Sequence, residues 1–114
     1  MARLADRVAI VTGAWRPGNI GLAVCEAFLR EGAAGVVATD LRTEDAAAIA
    51  DGFADDFPDR FVFVDHDVTS ETSWRHVIDL ALDRFGGLDV LVNNAGIAIG
   101  GGTATLPLED FRKV

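Results

Sequence analysis

Val8-Ala9-Ile10-Val11-Thr12-Gly13-Ala14-Trp15-Arg16-Pro17-Gly18-Asn19-Ile20-Gly21 is the stretch that decides how this chain folds. The unbroken apolar run Val8 to Val11 reads as a strand covered on both faces, because a strand with one wet face alternates apolar with polar residues. The run breaks into a glycine-bearing turn. From Ile20 the apolar positions Ile20, Ala23, Val24, Ala27 and Phe28 recur at helical spacing until Gly32, a natural C-terminal cap. A strand, a tight turn and a helix in that order set the free N–H groups and positive dipole end of the helix beside the turn. Glycines there let the backbone approach a pyrophosphate. An ordinary glycine-rich turn carries the same letters, but its place between a buried strand and a helix favours the anion site.

The same alternation continues along the chain. Val36-Val37-Ala38-Thr39 reads as a second buried strand, and Asp45 to Phe57 as a helix with Ala47, Ala50, Phe53 and Phe57 inward, closed by Pro58. Phe61-Val62-Phe63-Val64 gives a third strand. Ser70 suits the N-cap of a helix whose Trp74, Val77, Ile78, Ala81 and Phe85 form one stripe, ending at Gly86-Gly87. Val90-Leu91-Val92 is the fourth strand, and Leu108 to Val114 begins another helix with Pro107 near its first turn. Strands alternating with helices over short connections specify a parallel sheet with right-handed crossovers. The expected architecture is α/β, a Rossmann-like doubly wound parallel sheet with strands in the order 3-2-1-4 and Val90 to Val92 at an open edge. No linker or repeat divides residues 1–114, which read as one domain or part of one.

Composition narrows the function. Half of the 114 residues are apolar, enough for a core, and the formal charge of −8 argues against a polyanion binder, which needs clustered Lys and Arg. Nucleic acid and anionic membranes are therefore not expected partners. Cys25 is the single cysteine, so no intrachain disulfide forms and a reducing cytoplasm is the expected home. It reads as a packed rather than a reactive thiol. No apolar stretch is long enough for a signal h-region or a membrane span. His66 and His76 make no constellation and read as solvated or locally hydrogen-bonded; no Cys/His spacing suggests a metal. The acidic run Asp51, Asp55, Asp56 and Asp59 reads as a solvated face.

Three further elements carry chemistry. Asp40 ends the second strand about twenty residues beyond the loop, where a carboxylate accepts hydrogen bonds from an adenosine ribose and repels a 2′-phosphate. As a bland alternative it is a turn residue. Arg42 and Arg16 partly offset the repulsion, yet NAD is expected ahead of NADP. Asp65-His66-Asp67-Val68-Thr69 follows the third strand, and Asn93-Asn94-Ala95-Gly96 follows the fourth.

Together with the Thr-Gly-rich loop, these elements resemble the short-chain dehydrogenase/reductase family over essentially the whole chain, which is about the N-terminal half of a typical member. The resemblance implies that Gly13, Gly18, Asn19 and Ile20 line the pyrophosphate and nicotinamide side and Asp40 the adenosine ribose. It gives Asp67 and Val68 to the adenine and Asn94, Ala95 and Gly96 to the floor beneath the riboses, with Thr12 and Asn93 as structural braces. The loop is two residues longer than the usual Thr-Gly-x-x-x-Gly-x-Gly, which displaces Gly18 from the family spacing. Exposed-looking Trp15 and Pro17 suit loop stiffening, phosphate shielding or a plain surface loop.

The family reaction is hydride transfer between a secondary alcohol and a ketone, with a Tyr-x-x-x-Lys pair and a Ser in the proton chemistry. This chain has no tyrosine, Ser70 and Ser73 stand at a helix start, and Lys113 is its only lysine, so no catalytic residue is assigned. Turnover is expected to need residues beyond Val114 or a second polypeptide, and a complementary half or a homo-oligomer is the expected partner. The alternative is a stand-alone nucleotide-binding or regulatory module.

Overall fold

The structure, a computed structural model, describes residues 2–114. Four strands, β1 (Val8–Thr12), β2 (Gly35–Asp40), β3 (Phe61–Asp65) and β4 (Val90–Val92), pair in parallel in the order β3-β2-β1-β4 that the alternation predicts. Helices α1 (Ile20–Arg30), α2 (Ala46–Ala54) and α3 (Glu71–Phe85) fill the crossovers, and a short α4 (Leu108–Lys113) follows β4.

The unbroken apolar runs of β1 and β2 are explained by cover on both faces. Val8, Ile10 and Val37 turn toward Val77 and Ala81 of α3. Val11, Val36 and Ala38 turn the other way, toward Leu22, Cys25 and Leu29 of α1 and Ile49 of α2. Each leucine or isoleucine so removed from water contributes roughly 1.5–3 kcal/mol before entropy is counted.

The α3 stripe is as expected: Val77 and Ala81 are buried, Ser70 accepts the Ser73 N–H as N-cap, and Gly86 closes the helix in the left-handed region with φ 79°. Two helix faces differ from expectation. In α1 the buried residues are Gly21, Leu22, Cys25 and Leu29; the expected Val24 and Phe28 pack at the core margin, whereas Ile20 is 74% exposed and Ala23 and Ala27 face solvent. The phase is set by Gly21, where any Cβ would stand 2.8 Å from the Gly13 carbonyl oxygen. In α2 the buried residue is Ile49, with Ala47 exposed and Ala50, Phe53 and Phe57 packed at the margin. Its regular helix ends at Ala54 rather than reaching Phe57.

β4 pairs with β1 alone, and Leu91 is 48% exposed, so its outer edge is open. Asp89 fixes this short strand to the start of β1: its carboxylate accepts the Val8 N–H at 2.9 Å, and its own N–H donates to the Val8 carbonyl at 2.9 Å. Among the described residues no helix is long and apolar enough to cross a membrane.

Candidate functional site

Parallel strands bring all their C-terminal ends to one side, and the turns leaving β1 and β4 meet there. The Thr12 hydroxyl is the joint. It accepts the N–H groups of Asn94 at 3.1 Å and Ala95 at 3.0 Å, and donates to the Val92 carbonyl at 3.3 Å. The Asn94 side-chain amide donates to the carbonyls of Thr12 and Gly13, both at 3.1 Å. Thr12 is thus a brace as expected, but its partner brace is Asn94; Asn93 is exposed, because the chain leaving β4 turns the second asparagine, not the first, toward β1.

Gly13 is held at φ 76°, and a Cβ there would stand 2.7 Å from the Ala95 Cα. Only glycine fits so close an approach in the left-handed region. Its carbonyl also accepts the Asn19 amide at 2.9 Å, and the Asn19 side-chain oxygen takes the Leu22 N–H at 2.9 Å. Asn19 is therefore the N-cap of α1, satisfying one orphan donor of that helix start and tying it to the turn. Gly18, at φ 85°, has open space on its Cβ side.

A second group forms at the ends of β2 and β3. One Asp40 carboxylate oxygen accepts the Arg42 backbone N–H at 2.9 Å. His66 is only 2% exposed, its Nδ1 lies 2.8 Å from the Thr39 hydroxyl, and its ring stands edge-on to Trp74 at 4.3 Å. Burial pushes its pKa down from the ordinary value, against the opposing pull of Asp67 and Asp65. Of the two expected roles, solvated or locally hydrogen-bonded, the structure gives the second: Thr39 bonds the ring, and with Trp74 it shuts the ring from water. His66 Nε2 is buried and has no hydrogen-bond partner among the described residues.

The Asp67 carboxylate accepts both the N–H and the hydroxyl of Thr69, at 2.9 and 2.6 Å, and these bonds hold its pKa below the usual range. Trp74 donates its indole N–H to the Val68 carbonyl at 3.0 Å, fixing that turn onto α3. Trp15, half-buried rather than exposed, carries two guanidiniums over its ring, Arg16 at 4.7 Å and Arg42 at 4.4 Å from the centroid.

A cleft of about 1290 Å³ runs across these strand ends and brings together Gly13, Asp40, Asp67, Val68, Asn94, Ala95 and Gly96 of the expected residues. Gly18 and Asn19 instead border a smaller groove, about 410 Å³, between α1 and α2, and Ile20 projects into solvent. Thr39 and His66 also line the large cleft and were not assigned to it from sequence; Arg42 and Trp15, read as a charge offset and as one candidate phosphate shield, line it too. Position at a strand end is the one signal that would have found Thr39 and His66. Among the described residues no group of three or more His, Cys, Asp or Glu side chains is placed to hold a metal ion.

A parallel sheet with a glycine turn, an acidic residue after β2 and an Asn-Ala-Gly turn packed against the glycine defines a class of nucleotide-binding oxidoreductase folds. Residues 7–114 match the short chain dehydrogenase family, and the chain belongs to it. It is 40% identical over 112 residues to the 3-beta-hydroxysteroid dehydrogenase of Comamonas testosteroni, covering 98% of this chain and 41% of that protein. Among solved structures, a short chain dehydrogenase from Mycobacterium smegmatis aligns with TM-score 0.88 and 32% identity, over 100% of this chain and 47% of that one. L-Sorbose reductase from Gluconobacter frateurii, complexed with NADPH and L-sorbose, aligns with TM-score 0.81 and 29% identity, over 96% and 40%. The chain thus spans less than half the length of each. The ranking of NADP behind NAD, made from Asp40, is corrected: a similar structure is complexed with NADPH, so NADP does not stand behind NAD.

Proposed function

We propose that this chain forms the cofactor-binding part of an NAD(P)-dependent oxidoreductase that moves hydride between a secondary alcohol and a ketone. The observation that carries this is the Gly13 cradle, pressed against Ala95 and Asn94 at one end of a cleft that reaches Asp40 at the other. An extended dinucleotide fits that distribution of groups. The start of α1 faces the pyrophosphate with its free N–H groups and positive dipole end. Asp40 accepts from the adenosine ribose hydroxyls, the Asp67–Val68 turn borders the adenine, and Asn94, Ala95 and Gly96 lie under the riboses. Asn19 serves the pyrophosphate side indirectly, by tying the start of α1 to Gly13; Gly18, which borders the neighbouring groove, serves by turning the loop toward that helix, and Ile20 by its exposed side chain.

When bound, the nicotinamide ring supplies the atom that gives or takes hydride. The residues of this chain bind and orient. With no tyrosine in the sequence, none of them offers the phenol of the family's proton transfer. The expected partner, a complementary polypeptide or a second copy, is assigned to the free edge of β4 on the strength of Leu91's exposure.

Calorimetric titration of NADH and NADPH into the full chain tests the site. Saturable binding is expected, abolished by Gly13→Val, with Asp40→Ala raising NADPH affinity relative to NADH. Absence of binding by either nucleotide refutes the proposal.

A further inference from the structure

His66 is buried at the end of β3, directly before the Asp67–Val68 turn, and the nucleotide site gives it no part so far. Its ring joins three elements. On β2, the Thr39 hydroxyl lies 2.8 Å from Nδ1, and the Thr39 carbonyl receives the N–H groups of Gly13 and Ala14 at 2.8 and 3.1 Å. On α3, Trp74 stands perpendicular to the imidazole with ring centres 4.3 Å apart, and donates its indole N–H to the Val68 carbonyl at 3.0 Å. One side chain thus links the glycine cradle, the indole and the turn that borders the cleft.

A neutral imidazole suits this seat, since it carries one donor and one acceptor. A protonated ring would bring a charge and a second N–H to a place where Nε2 has no oxygen or nitrogen partner among the described residues. The charges acting on the ring are Asp67 and Asp65, both of its own segment and both favouring protonation, and burial outweighs them. Of the neighbouring elements, β2 turns one Asp40 carboxylate oxygen to the Arg42 N–H, and α3 leaves Glu71 and Arg75 exposed. Charging the ring therefore means moving it toward water, which takes from Trp74 the ring it packs against.

We infer that His66 and Trp74 are positioning residues for the nucleotide: the neutral imidazole, held between Thr39 and the indole, keeps the Asp67–Val68 turn in the shape that receives the adenine, and protonation releases it. The inference rests on the nucleotide site proposed above and adds to it a control by pH. In the closed turn the ring titrates below its ordinary 6.5, so the proton goes first to the released state and affinity is lost as pH falls beneath 6.5.

The test titrates oxidised NAD calorimetrically into the full chain between pH 8 and pH 5, with the two histidines followed by NMR. The pyrophosphate of NAD lacks the second ionisation that a phosphomonoester shows at about pH 6. Affinity should hold at the upper end and fall by up to about tenfold per pH unit as His66 titrates. Saturating NAD should move the His66 midpoint down and leave that of His76, exposed on α3, where it was. His66→Phe keeps a ring against Trp74 without a proton to gain, so its affinity should not follow that fall. In Trp74→Phe, which lacks the bond to Val68, NAD should no longer move the His66 midpoint. A ring that does not titrate above pH 5, a midpoint that NAD leaves unmoved, a parental pH profile in His66→Phe or full coupling in Trp74→Phe overturns the inference while the nucleotide site stands. Failure of the parent chain to bind NAD at pH 8 brings down both.

Discussion

Gly13→Ala should destabilise this chain far more than Gly18→Ala, although both glycines hold positive φ, 76° and 85°. The left-handed conformation costs an L-residue about 1–2 kcal/mol at either position. At Gly18 nothing lies within 4 Å of the new methyl group, so the strain stands alone. Loss of glycine's freedom in the unfolded chain returns about 0.4–1 kcal/mol, leaving a net cost near 1 kcal/mol. At Gly13 the methyl group meets the Ala95 Cα at 2.7 Å, the Ala95 nitrogen at 2.8 Å and the Asn94 amide at 2.9 Å. Two of these are backbone atoms fixed by the Thr12 hydroxyl, so relief requires the β1 and β4 turns to part. Overpacking of that kind adds about 1–3 kcal/mol, for a total of roughly 2–4 kcal/mol. Urea unfolding followed by circular dichroism measures both values. If Gly18→Ala proves as costly as Gly13→Ala, the packed cradle described here is wrong.

Other outcomes follow from single contacts. Thr12→Val keeps the shape but leaves the Asn94 and Ala95 N–H groups without their acceptor, so it should cost about 1–3 kcal/mol and speed hydrogen exchange at those two amides; unchanged exchange would remove the joint. His66 has a folded-state pKa below its ordinary 6.5, so the unfolded chain binds the extra proton first and stability falls as pH drops beneath 6.5. His66→Phe, which keeps the ring against Trp74, should flatten that limb of a pH–stability curve; an unaltered slope assigns it to other groups. The Cys25 thiol, fully buried with its pKa pushed up to about 12, should resist thiol reagents at pH 8 until the chain is unfolded. Rapid labelling of native chain would contradict its place on the buried face of α1.

Strand order and the limits of α3 were legible because they depend on local pattern, whereas α2 stops at Ala54 short of the expected Phe57. Val8 to Val11 and Val36 to Thr39 read as doubly covered strands, and Ser70 and Gly86 mark both ends of α3 in the sequence itself. The inward face of α1 was not legible. Ile20-Ala23-Val24-Ala27-Phe28 and Gly21-Leu22-Cys25-Leu29 both satisfy helical spacing, and the choice falls to a contact between Gly21 and the Gly13 carbonyl. The candidate site shows the same division. Gly13 and Asp40 sit at strand ends, which pattern locates. Asn93 and Asn94 are identical letters whose roles are separated only by the direction of the chain as it leaves β4. His66 lies between two acids and suggests solvent; its burial comes from Thr39 and Trp74, both outside its own turn. Trp15 belongs to a loop with no period, so nothing local ties it to Arg42 on the next crossover.

The Thr12 hydroxyl reaches across a sequence separation of 82 positions to the Asn94 amide, about three times the separation of partners in β1 and β2. A threefold longer loop carries roughly 1 kcal/mol more closure entropy, and contacts of this range form late in folding. Closing the cradle therefore carries a larger loop-closure cost than forming the β1–β2 or β2–β3 pair. A ligand that recognises only the closed cradle stabilises that state by mass action. On the nucleotide site proposed above, a dinucleotide would stabilise the closed β1–β4 junction, and protease resistance of the loop after β4 should rise with its concentration.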